Sequence, residues 1–128
     1  LASHVPLFLA ILLGPAPAAM VGIGSGIGFL LTKGSYIAAR AFMHTFVGVA
    51  GAILIKSGVG YSKMVAITAP LHGILEALVV IPFGINLDKI LITVGIGSSL
   101  HHIVDGIIAF AVVQALSKAL NLKLIKSA

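Results

Sequence analysis

The chain has 128 residues, 59% of them hydrophobic and only 9% charged, with a mean hydropathy of +1.21. Soluble domains carry about 25% charged residues, so a water-soluble fold is excluded. The 8 Lys and Arg against 3 Asp and Glu give a formal charge of +5, but the basic residues stand singly between apolar runs, which excludes a nucleic-acid binder and fits a polytopic membrane protein.

The absence of cysteine removes disulfides and thiolate metal sites. Leu1 stands where a Met would open a chain, and an apolar run starts at Val5; we read this as the loss of a preceding segment, up to a whole helix. A membrane-spanning helix needs about 20 apolar residues. The first candidate, Val5 to Leu13, is short and ends at the helix-breaking "GPAP"; it spans only if it is extended through Leu1 to His4, or else it is a tilted or partial helix. The second runs from Pro17 to Leu31, with Pro17 suited to a first turn. It contains "GIGSGIG", residues 22 to 28, which has neither a preceding strand nor the following acidic residue of a dinucleotide site. Gly22, Ser25 and Gly26, with Gly24 and Gly28, instead supply the small-residue spacing that lets helices approach closely. The third segment covers Ser35 or Tyr36 to Ile55, and the fourth Lys63 to Ile81 beyond the polar turn "KSGVGYSK". "PFGINLD" separates the fourth from Lys89 to Leu120, too long for one straight span, which Gly95 and Gly97 divide into an interfacial turn and a span from Ser98.

The expected fold is thus a single all-α transmembrane domain over residues 1–128, a bundle of about five helices. With alternating segments, one set of ends holds Lys56, Lys63, Lys118, Lys123 and Lys126 and the other Lys33 and Lys89, which places the C-terminus in the cytoplasm of a multi-pass plasma-membrane protein. His4, Lys33, "PFGINLD" and Ser98 then lie outside.

Ionisable residues recur at helical spacing within these apolar segments. Tyr36, Arg40 and His44 share a face at i, i+4 and i+8; His72 and Glu76 are i and i+4; His101 or His102 lies one turn from Asp105. Apart from His44 and His72, at mid-depth, all belong to the outer half under this topology. A charge near the bilayer centre costs about 2.5 to 3.5 kcal/mol on insertion scales, so such groups face a partner or a cavity. One reading pairs Arg40 with Glu76 or Asp105, pinning the bundle; polar groups at matching depth on three helices and a loop point instead to a binding cavity. There Arg40 offers a planar fork for a carboxylate or phosphate, and Tyr36 and the imidazoles can stack on a flat ring. A metal held by histidines with Asp105 and Glu76 competes, although adjacent His101 and His102 point about 100° apart and only one readily joins Asp105, with His101 preferred as i−4 to it. Ser98 and Ser99 lack any nucleophile-elbow signature, which leaves a hydrolase unsupported.

"SHVPLFLAILLGPAPAAMVGIGSGIGFLL" resembles the loop, second helix and third helix of the substrate-binding S components of energy-coupling factor (ECF) vitamin transporters, and "HHIVDGIIAFAVVQAL" resembles their sixth helix. "SHVPLFLAILLGP" with "AARAFMHTFVGVAGA" is most similar to the niacin-specific members. The resemblance implies six helices, the first missing here, and a vitamin site near the outer face closed by the loop that holds His4. It also implies a transmembrane coupling subunit and two ATPase subunits as partners; the chain itself would be no enzyme and would need no cofactor. On this reading the vitamin is nicotinate or nicotinamide, held by Arg40, with Tyr36, His44, His72, Glu76, His101, His102 and Asp105 around it and His4 closing the site. The alternatives are an S component for another vitamin, an independent proton-coupled carrier, or a structural subunit whose polar residues only pair.

Overall fold

A computed structural model describes residues 4–120. Helices make up the architecture, with no strand among the described residues: α1 (His4–Leu13), α2 (Pro15–Lys33), α3 (Ser35–Lys56), α4 (Tyr61–Val79) and α5 (Gly97–Leu120). A 3₁₀ turn (Ile81–Phe83) follows α4, and a π-helix (Lys89–Ile96) leads directly into α5. Lys123 and Lys126, used above to orient the chain, lie outside the described residues.

Local chemistry sets the helix ends. Pro15 disfavours a helical conformation at Gly14, whose φ of 124° suits glycine, and Pro15 then opens α2. Gly34, at φ 88°, is the whole connection between α2 and α3. This tight link folds the two helices into an antiparallel hairpin. Only half of the glycine motif serves the packing: a Cβ on Gly22 would lie 2.4 Å from the Thr45 backbone nitrogen, and one on Gly26 2.5 Å from the Phe42 ring. Gly24 and Gly28 have nothing within 4 Å of such a Cβ and face outward.

Among the described residues, four helical stretches are long and apolar enough to cross a membrane: Pro15–Lys33, Ser35–Lys56, Tyr61–Phe83 and Lys89–Ala119. α1 is not one of them. Its 10 residues cover about 15 Å, half of a hydrocarbon core about 30 Å thick. Five helices therefore form the bundle, but four have spanning length. α1 is nevertheless the most enclosed element: Leu7, Phe8 and Ile11 are buried against Ala52 of α3, Met64 and Val65 of α4 and Ala109 of α5. The bundle is inverted relative to a soluble one. Leu31, Met20, Ile107 and Phe46 are exposed, whereas His44, His72, Glu76, His102 and Asp105 are buried. An apolar exterior around a polar centre is the arrangement that lipid requires.

Two expectations are corrected. Gly95 and Gly97 do not make an interfacial turn; the segment before Ser98 is a π-helix that continues into α5 at Gly97 without a break. His4 does not sit in a covering loop but opens α1, inside the bundle.

Candidate functional site

Each helix that lines the centre contributes a face set by its own periodicity. On α4, Thr68, His72 and Glu76 succeed one another at intervals of four residues, and all three are buried. On α5, Ser98, His102 and Asp105 form a similar buried row, with His101 at its edge. α3 supplies Arg40 and His44, and α1 supplies His4 from its first residue.

These faces bring all five histidines together. The His4 ring is in the middle, with its centroid 4.3 Å from that of His44, 4.9 Å from His72, 4.5 Å from His101 and 6.1 Å from His102. His72 closes the ring system at 5.1 Å from His44 and 5.0 Å from His102. The expectation of two depths, with His44 and His72 below the rest, therefore gives way to one cluster. His44 lies about 13 Å along α3 from Ser35, which puts the cluster near mid-span.

Two carboxylates flank the imidazoles on opposite sides. Arg40 donates to Glu76 Oε2 from Nε (3.0 Å) and Nη2 (2.7 Å). Ser98 Oγ donates to the same oxygen and accepts from Arg40 Nη2 at 3.2 Å. The other oxygen, Oε1, faces His72 Nε2 at 3.1 Å and His44 Nε2 at 3.6 Å. On the far side of His4, its Nδ1 lies 3.0 Å from Asp105 Oδ2 and 2.9 Å from His101 Nε2, and His101 Nε2 lies 3.1 Å from the same Asp105 oxygen. His4 Nε2 faces His72 Nε2 at 3.5 Å, so ring and carboxylate contacts run unbroken from Asp105 to Glu76.

His101 and His102 divide as their 100° offset requires. His101 shares the side of Asp105, with its side chain 49% exposed. His102 turns toward α4, fully buried, with Nε2 2.9 Å from Thr68 Oγ1 and its ring 4.8 Å from Phe8. Because Thr68 also lies 2.8 Å from the Met64 carbonyl, its single proton can go there while His102 donates to the hydroxyl. Tyr36 is apart from the histidines: it packs against the Val80, Ile90 and Val94 cluster, with the Arg40 Cζ 5.8 Å from its ring centroid and the Phe83 ring at 5.4 Å. Sequence reasoning missed two members, Thr68 and Ser98. The four-residue row ending in His72 and Glu76 points to the first, and the one-turn spacing before His102 points to the second.

Chemically, the centre offers several imidazole nitrogens and carboxylate oxygens within contact of one another. The buried Nδ1 atoms of His44, His72 and His102 have no hydrogen-bond partner among the described residues. Three donor sets lie within 4.8 Å mutually: His4, His72 and His102; His4, His101 and Asp105; and His44, His72 and Glu76. The chain matches no family model, no curated protein and no solved structure.

Proposed function

We propose that this protein is the solute-capturing subunit of a membrane importer. One observation carries the reading: four helices of an apolar bundle turn their ionisable residues to a single point, where lipid makes each of them costly. Pairing for stability alone needs one acid and one base; five histidines around two carboxylates exceed that need. The motifs that resemble an S component assign the driving force to a separate coupling subunit and two ATPases. Lys56, Lys63 and Lys118 at one end of the bundle against Lys33 and Lys89 at the other support a cytoplasmic C-terminus in the plasma membrane.

Nicotinate is the ligand the resemblance implies. In the arrangement described, His4 fills the space between the other imidazoles, and Arg40 directs Nε and Nη2 at Glu76. A pyridine carboxylate therefore needs His4 to withdraw with the start of α1 and Arg40 to exchange partners. The test is ligand-induced thermal stabilisation of the purified chain in detergent against nicotinate, nicotinamide, other vitamins and divalent cations. Stabilisation by an organic solute, lost in His72→Ala, or by a cation, lost in His101→Ala, supports capture. No response to any solute, with His72→Ala lowering only the unfolding temperature, would reduce the cluster to a structural pin. A proton-coupled carrier is the second reading, favoured by the unbroken contacts from Asp105 through His4 and His72 to Glu76. Uptake by the chain alone in liposomes, driven by a proton gradient, distinguishes it.

A further inference from the structure

We infer that His4 Nδ1, His101 Nε2 and Asp105 Oδ2 form a binding site for a divalent transition-metal cation. This deepens the capture reading and rests on it to the extent that the cluster binds a solute at all. The three atoms make a nearly equilateral triangle, with edges of 2.9, 3.0 and 3.1 Å. Protons alone satisfy such a triangle poorly. A neutral imidazole carries one N–H and an ionised carboxylate none. If both nitrogens are protonated toward Asp105, two N–H groups crowd the 2.9 Å edge; if only one is, another edge sets lone pair against lone pair. A cation seated over the triangle accepts all three lone pairs at once. Ligand distances of about 2.0 to 2.2 Å around a tetrahedral ion put the ligand atoms roughly 3.3 to 3.5 Å apart, so each edge has only to open by a few tenths of an ångström.

The donor set selects the ion class. Two imidazoles and one carboxylate suit zinc, nickel, cobalt or ferrous iron, whereas magnesium and calcium prefer all-oxygen shells. Geometry and charge also favour this trio over the one across His4. There Glu76 already holds the Arg40 guanidinium, whose charge opposes a second cation, and His44 Nε2 stands off at 3.6 Å. The trio of His4, His72 and His102 has no carboxylate, and His102 is engaged with Thr68.

The experiment uses the full chain in detergent, stripped by a chelator and titrated with Co²⁺ as a spectroscopic probe, with Zn²⁺ and Mg²⁺ as competitors. The expected result is one ion per chain, with visible d–d bands of nitrogen-ligated Co²⁺ that Zn²⁺ displaces and Mg²⁺ does not. His101→Ala and Asp105→Asn should each weaken binding by more than about 100-fold, beyond the 10- to 100-fold typical of outer-sphere changes. His44→Ala, which removes a member of the rival trio, should weaken it less than either. Should Asp105→Asn fail to fold, the half-exposed His101→Ala decides the matter. Absence of saturable Co²⁺ or Zn²⁺ binding, or wild-type affinity in His101→Ala, overturns the site. If an organic solute stabilises the chain while no cation binds, the metal site falls and the capture reading stands; if neither binds, both fall.

Discussion

Replacing Gly22 by Ala should separate the α2–α3 hairpin and disturb the histidine cluster together. The new methyl would fall 2.4 Å from the Thr45 nitrogen, 2.5 Å from its Cα and 2.6 Å from its Oγ1. Ordinary van der Waals contact begins near 3.4 Å, so the helices must part by about 1 Å. A side chain could rotate away, but a backbone nitrogen cannot. Overpacking of this kind costs typically 1–3 kcal/mol, and we expect the upper half of that range. Gly24→Ala is the matched control, since its methyl meets nothing within 4 Å and helix propensity favours Ala by up to about 1 kcal/mol. That gain is common to both variants, so they should differ by the overpacking cost alone, about 2–3 kcal/mol, roughly thirty- to a hundredfold in the unfolding equilibrium. Thr45 is next to His44, so whatever part of the displacement α3 takes up should change the 3.6 Å separation of His44 from Glu76 and alter ligand binding at the cluster. Unfolding in mixed detergent with increasing sodium dodecyl sulfate gives the stability difference, and a ligand titration gives the binding effect. Equal stability of the two variants, within about 0.5 kcal/mol, would refute the close packing of α2 on α3.

Arg40→Gln leaves Glu76 buried without its guanidinium and should cost about 1–3 kcal/mol, since Arg40 is 29% exposed and the full penalty for a broken buried pair does not apply. The double variant Arg40→Gln/Glu76→Gln should recover part of that loss in the same unfolding assay. Additive losses would mean that the pair is not coupled. Tyr61→Phe removes the donor to the Gly106 carbonyl at 2.9 Å and should destabilise by about 1 kcal/mol, visible as a lower unfolding midpoint without change in ligand affinity. Single cysteines at Ser57 and Lys33 lie at opposite ends of α3 and α2 and should react with a membrane-impermeant maleimide from opposite sides, Lys33→Cys from outside and Ser57→Cys from the cytoplasm. Labelling of both from one side of intact cells would overturn the hairpin as a pair of full spans.

Much of the fold was legible in the sequence because its signals are local. Mean hydropathy and the scarcity of charge dictate an environment of lipid, and Gly14–Pro15, Gly34 and "KSGVG" stop helices through backbone chemistry that acts within a residue or two. Same-face pairs such as His72 with Glu76, or His101 with Asp105, follow from the 3.6-residue period alone. Other features depend on how each helix is rotated and how deep it sits, which no local period encodes. The extra residue per turn of the Lys89–Ile96 π-helix alters the angle at which α5 begins, and nothing in "KILITVGI" announces it. The choice of Gly22 and Gly26 over Gly24 and Gly28 as the packed face is a matter of helix rotation against α3. His4 is the sharpest case. As a residue before a short apolar run it reads as a lid at the surface; tertiary packing buries α1 among three other helices and thereby carries His4 into the middle of the cluster. The sequence by itself determined that acids, bases and imidazoles must lie inside an apolar bundle, because lipid leaves them nowhere else. Only the tertiary structure decided that they meet at one point around His4, because that requires four helix faces, far apart in the chain, to turn toward each other at the same depth.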